Sequence, residues 1–121
     1  IDVICSDHTP EDIENKQCEF DHAAFGIINL QTSFAVANSQ GEISTEVLIE
    51  KITNGPRSIL GFDNPTIKVG EKANLTLFSP NEKSTLTKVD ILSKAKNSPF
   101  IGKELTGKVY GVVNNNQLDI S

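Results

Sequence analysis

This sequence of 121 residues has no methionine, a single arginine (Arg57) and only two cysteines, Cys5 and Cys18. The missing start methionine, with strand-like residues from Ile1 onward, leads us to expect a piece of something longer. The two cysteines form no CxxC pair, which argues against a disulfide-dense secreted framework and a paired-cysteine motif. A Cys5–Cys18 disulfide stays open, although Cys5 lies in an apolar run and reads as a small buried hydrophobe. This usage points to a reducing, cytoplasmic compartment. No run approaches the roughly 18 apolar residues of a membrane span, and no charged segment followed by an apolar one opens the chain. Basic residues are scattered, and the formal net charge of −5 with a pI near 4.9 argues against nucleic-acid or anionic-membrane partners. The HxH, HExxH, GxSxG, Walker A and GxGxxG signatures are all missing.

What remains is one domain's worth of chain, with 37% hydrophobic residues to build a core. Recurrent apolar runs and modest charge argue against disorder. Residues 1–6, IDVICS, read as a short buried strand ending at polar turn residues. Residues 7–25, with Pro10 and many charges, read as a long loop of the kind that often carries function. Ile27, Leu30, Phe34 and Ala37 fall at steps of three and four, which predicts a helix over 26–38. Ser44 is placed to cap a second helix, with Glu46 in its first turn and Leu48 and Ile52 buried. Pro56 suits the first turn of a third helix and Gly61 its C-terminal cap. Beyond it, residues 74–78 alternate as a strand and a short helix is expected from near Thr87. Residues 107–120 read as a hairpin with turn residues Asn114 to Asn116. Strand, loop and helix make one β/α unit, and in a β/α barrel catalytic residues sit at the C-terminal ends of strands, where Asp7 falls. One unit cannot close a barrel, so the pattern again implies a fragment.

The candidate chemistry is sparse. Asp7 is a short, rigid carboxylate that suits a metal ligand or a proton exchanger. From the residues alone, a turn or cap role before Thr9-Pro10 is the commoner one. His8 points elsewhere if the strand geometry continues through it, and reads as a surface or supporting histidine. His22 lies in the loop beside Asp21. Two histidines and an aspartate do not complete a catalytic zinc site, so further ligands are expected from outside this chain. Gly26 serves either close approach of a substrate or a loop-to-helix hinge. Arg57 is either an anion clamp or a solvated helix residue, the second being commoner. Asn74-Leu75-Thr76 matches a glycosylation sequon but sits in an expected strand, and we discount it.

Together the motifs bring a family into view. "IDVICSDHTP" resembles the eighth barrel strand of dihydroorotases, in the amidohydrolase superfamily, with its Asp-His-x-Pro motif. "FGIINLQTSF" resembles the family's phenylalanine-glycine loop and following helix, and "TNGPRSILGF" the short helix that closes the barrel part. "VGEKANLTLFSP" resembles the strand returning to a small β-sandwich, and "SKAKNSPFIGKELTGKVYGVVNNN" the closing segment. The resemblance covers nearly the whole chain and implies an α/β fold. Residues 1–62 would be the C-terminal end of a (β/α)8 barrel, namely its last strand, active-site loop and helices. Residues 63–121 would supply short strands of the β-sandwich.

The resemblance also implies a function. Such enzymes are zinc-dependent hydrolases of pyrimidine biosynthesis that interconvert N-carbamoyl-L-aspartate and dihydroorotate. Asp7 would be a metal ligand and the catalytic acid or base, while Phe25 and Gly26 would contact the pyrimidine ring. Glu11 stands where the family usually has a histidine for the substrate carboxylate. Ala24 replaces a usual proline, Asn29 and Gln31 replace glycine and glutamate, and Asn74 replaces aspartate. These departures bear on substrate binding more than on fold. They admit a noncatalytic homologue that stabilises a partner such as aspartate transcarbamoylase, and a related cyclic amidase such as an allantoinase is a further alternative. The histidine pair, the bridging lysine and two further histidines of the family are not in this chain, so it is expected to be inactive alone. An unpaired barrel-strand edge would favour association with a second copy.

Overall fold

A computed structural model describes residues 1–120. Within them, helices α1 (Ile13–Lys16), α2 (Ser33–Ser39), α3 (Thr45–Ile52) and α4 (Asn54–Leu60) precede strands β1 (Leu75–Thr85), β2 (Glu104–Asn114) and β3 (Gln117–Ile120). The strands form an antiparallel sheet in the order β1-β2-β3.

Local chemistry sets the helix ends. Ser44 caps α3 as expected, its hydroxyl accepting from the Val47 N–H, and Leu48 at 1% exposure is the most deeply buried side chain of that helix. Hydrogen bonds from the Glu46 backbone and then from Ser44 hold the Glu46 carboxyl below its ordinary range. Pro56 lies in the first turn of α4, and Gly61 ends it in the left-handed conformation, with φ of 71°.

The hairpin is also as expected in place, with the turn residues narrowed to two. Asn115 and Asn116 take φ of 49° and 61°, the geometry of a tight two-residue loop, while Asn114 still pairs with Gln117. Gly111 is required here, because a Cβ would lie 2.4 Å from the Asp119 carbonyl on the neighbouring strand.

Helix α2 covers the sheet. Phe34 meets Phe78 edge-on, with ring centroids 5.0 Å apart. The Asn38 amide donates to the carbonyls of Pro80 and Thr106, and the Thr106 N–H donates to the Ser39 hydroxyl. Beside this layer, Ile28, Leu86 and Ile91 form a small core packed by Ala95, Phe100 and Ile101.

Five expectations change. No strand forms over 1–6, because a ladder needs a partner strand and the described residues supply none there; instead the Ile4 N–H donates to Lys51 at the end of α3. With nothing laid over it, Cys5 is exposed rather than buried, and Cys5 and Cys18 are both free thiols. The helix expected over 26–38 begins only at Ser33, because the amides of residues 29 and 30 bind His8. The helix expected from Thr87 is a turn, closed by the Thr87 hydroxyl and N–H on the Asp90 carboxylate. The strand expected over 74–78 runs on to Thr85, but its register breaks between Ser79 and Lys83, around Pro80, which has no N–H for the ladder.

Two measurements check this packing. Leu48→Ala is expected to lower unfolding stability by about 2–5 kcal/mol, and Val89→Ala, at a residue 91% exposed, to leave it nearly unchanged; denaturant titration reads both. On the sheet, the Tyr110 hydroxyl and the Lys108 ammonium both donate to Glu82, which holds that carboxyl below its ordinary value of 4.5. A depressed carboxyl contributes stability above its unfolded value and loses it as pH falls through the folded one. Glu82→Gln is therefore expected to flatten the fall in unfolding midpoint on acidification below about 4.5; an unchanged acid limb would contradict this role.

Candidate functional site

The stretch that sequence analysis singled out is a junction of two loops. Residues 8 and 27 form a parallel bridge, and the Thr9 N–H donates to the Ile27 carbonyl at 2.8 Å. The His8 ring then binds the next turn: Nδ1 accepts from the N–H groups of Asn29 and Leu30 at 3.1 and 3.0 Å. An accepting Nδ1 places the ring proton on Nε2. This is why no helix starts at Gly26. The amides of residues 29 and 30 are committed to His8, and α2 begins only after the Asn29–Thr32 turn, where the Thr32 hydroxyl donates to Asn29 Oδ1. His8 is thus a supporting residue that pins the second loop.

Asp7 sits at the head of this junction, exposed, with φ of 44°. Aspartate tolerates that left-handed geometry better than most residues. The Thr9 hydroxyl donates to the Asp7 carbonyl. Glu11 is half-buried; its carboxylate accepts from Asn15, and its N–H donates to the side chain of Asn97. The Phe25 ring is 95% exposed. Gly26, at φ of 109°, is required by the protein's own packing: a Cβ would lie 2.5 Å from the Thr9 Cβ. Its close approach is therefore to Thr9, which neither role considered for it anticipated.

The structure brings Glu11 and Gly26 to one shared partner, Asn97, whose amide also donates to the Thr9 carbonyl. Asn97 carries no signal in the sequence, because a lone asparagine before Ser98-Pro99 looks like any turn residue. Arg57 donates to the Asp63 carbonyl, as a helix-end residue would. His22 lies in solvent near Glu19 and Asp21, apart from the junction. An apolar cavity of about 260 Å³ opens beside the junction, lined by His8, Ile28, Leu30, Leu86, Ile91 and Leu92 among others. Asp7, Glu11, Phe25 and Gly26 do not line it.

Zinc does not find a complete donor set. Among the described residues no three His, Cys, Asp or Glu side chains converge, and the His8 Nδ1 is already engaged. By themselves these residues do not fit the ion. Among the described residues, no helix is long and apolar enough to cross a membrane.

No family model matches the chain. It is 37% identical over 122 aligned residues to a dihydroorotase of Chlorobaculum tepidum, covering 98% of this chain and 28% of that protein. It is 40% identical to a dihydroorotase of Clostridium acetobutylicum, again over 98% of this chain and 29% of that protein. The chain is a relative of the dihydroorotases. It spans somewhat over a quarter of their length, consistent with a C-terminal portion. Its fold is similar to the inactive dihydroorotase-like domain of a CAD-like multifunctional protein from Chaetomium thermophilum, with a TM-score of 0.59 at 14% identity over 75% of this chain.

Asn29 and Gln31 both have structural work here. The Asn29 amide donates to the Ser6 carbonyl, tying the turn to the segment before Asp7. The Gln31 amide donates to the Asp90 carbonyl at 2.6 Å and accepts from the Leu92 N–H at 3.0 Å. A glutamate at 31 could accept from Leu92 but, ionised, could not donate to Asp90.

Gly26→Ala is expected to destabilise this dihydroorotase relative by at least about 1 kcal/mol, since it combines a forbidden φ with a clash. Gly41→Ala shares a positive φ but meets nothing within 4 Å, and is expected to cost less. Unfolding midpoints of the two variants check the order.

Proposed function

We propose that this chain is the C-terminal portion of a zinc-dependent cyclic amidohydrolase that interconverts N-carbamoyl-L-aspartate and dihydroorotate in pyrimidine biosynthesis, in the cytoplasm. The observation that carries this reading is similarity to dihydroorotases over 98% of the chain, with the Asp7-His8-Thr9-Pro10 motif at the junction of two tied loops. Residues 1–62 would be the end of the barrel and 63–121 the sandwich segment. Asp7 would be a metal ligand and the proton-transfer carboxylate. The remaining zinc ligands would come from outside these residues, so the chain alone would neither hold zinc tightly nor turn over substrate.

The chemistry suits a carboxylate. In ring opening, a water proton passes to Asp7 as the new C–O bond forms. Asp7 then returns a proton to the ring nitrogen as the C–N bond breaks. Phe25 and Gly26 would border the pyrimidine ring, and Glu11 would lie near the substrate carboxylate.

A second reading has its own support. Glu11 puts a negative group where the family usually holds a carboxylate-binding histidine, and like charges repel. The similar fold from Chaetomium thermophilum is described as inactive. On this reading the parent is a scaffold, paired with a second copy or with a partner such as an aspartate transcarbamoylase.

Assay of the full-length parent separates the two. On the first reading it cyclises carbamoyl aspartate, and Asp7→Asn lowers kcat by about 10²–10⁴-fold. Activity that survives Asp7→Asn within tenfold removes Asp7 from the reaction. An inactive parent that gains turnover on Glu11→His supports the scaffold reading.

A further inference from the structure

We infer that Asn97 is a positioning residue for this reaction, its side-chain amide clasping the loop that carries Asp7 and Glu11 to the Gly26 loop. The inference rests on the reading of Asp7 as the proton-transfer carboxylate.

The need for a clasp is written in the loop itself. Pro10 has no N–H, so the Thr9-Pro10-Glu11 segment has a donor fewer with which to close on itself. The Thr9 carbonyl and the Glu11 N–H then need partners from elsewhere. A primary amide offers two donor hydrogens and an acceptor at one point. Asn97 uses all of them: Nδ2 donates to Thr9 at 3.0 Å and to Gly26 at 3.3 Å, while Oδ1 accepts from Glu11 at 3.2 Å. The Asn97 backbone carbonyl adds an acceptor for the Ile28 N–H at 3.2 Å. The side-chain amide thus reads both loops, across sequence separations of 71 to 88 residues.

Asn97 is itself held. It is half-buried, and its segment is anchored by Ile91 on one side and by Phe100 and Ile101 on the other, all packed in the small core. The Lys96 ammonium donates to the Ile91 carbonyl, and the Ser98 N–H to the Lys96 carbonyl. A group fixed on a packed scaffold transmits position, where a mobile one would not. Asp7 is two residues from the clasped Thr9 and sits at positive φ, a geometry that persists when the surroundings over-determine it. Loss of the clasp would free Asp7 to move by the order of 1 Å, which is costly to a proton-transfer geometry.

The test uses the full-length parent, with Asn97→Ala and Asn97→Asp each made alone and with Asp7→Asn. Expected is a fall in kcat of about 10- to 100-fold for Asn97→Ala, shrinking to less than about twofold in the Asp7→Asn background, because two residues acting as a unit are not additive. Amide hydrogen exchange supplies a readout independent of turnover: the Glu11 N–H is expected to exchange at least about tenfold faster in Asn97→Ala, with β1–β2 amides unchanged. Asn97→Asp keeps the acceptor for Glu11 but loses the donor to Thr9 and Gly26. It is expected to retain Glu11 protection with reduced kcat, and it serves where the alanine variant folds poorly. Equal losses of kcat in both backgrounds would show that Asn97 does not act through Asp7. Unchanged Glu11 exchange in Asn97→Ala would overturn the clasp itself. A wild-type parent with no activity would sink the catalytic reading and the reaction role of Asn97 with it, and the exchange measurement reads that failure apart from failure of the clasp.

Discussion

The hydrogen bond from the Thr9 N–H to the Ile27 carbonyl is the contact around which the loop junction is built. It joins two loops that have no sheet of their own, and buried or half-buried backbone groups in such loops must still find partners. The solution is mostly side chain to backbone. His8 satisfies the turn at 29–30, Asn29 reaches back to Ser6, and Gln31 holds the segment at 90–92. Each of these groups is neutral. Held by amides and an imidazole, the junction depends little on ionic strength, in contrast to exposed ion pairs such as Lys83–Glu104.

This arrangement separates the carboxylate from the apolar cavity beside it. Asp7 stands in solvent while His8, next to it, turns into the cavity wall. The adjacent residues therefore have different duties: the first is presented, and the second fixes the backbone that presents it. Large apolar side chains elsewhere, including Ile1, Phe20, Phe25, Ile67 and Val69, are almost wholly exposed.

Elements governed by one residue were legible in the sequence. The Ser44 cap, the Gly61 stop and the asparagine turn each follow from a local preference that nothing distant opposes. Elements that need a partner were not. Residues 1–6 have strand composition, but composition does not form a ladder without a neighbour. The periodic run from Gly26 suggested helix, yet His8, eighteen positions upstream of the bend's start, captured the amides that a helix would have used. Of the candidate site, Asp7 and the Gly26 loop were visible as motifs. Asn97 was not, because its importance lies in which three backbone groups it faces, and those come from segments 71 to 88 residues away.

The most direct test is a crystal structure of the full-length parent grown with zinc, the metal located by its anomalous scattering. The expected result is a zinc ion about 2.0–2.2 Å from an Asp7 carboxylate oxygen, with its other ligands supplied by residues outside this chain. A parent whose Asp7 carboxylate lies in solvent, with no metal beside it, would contradict the enzyme reading and leave the chain a dihydroorotase-like scaffold.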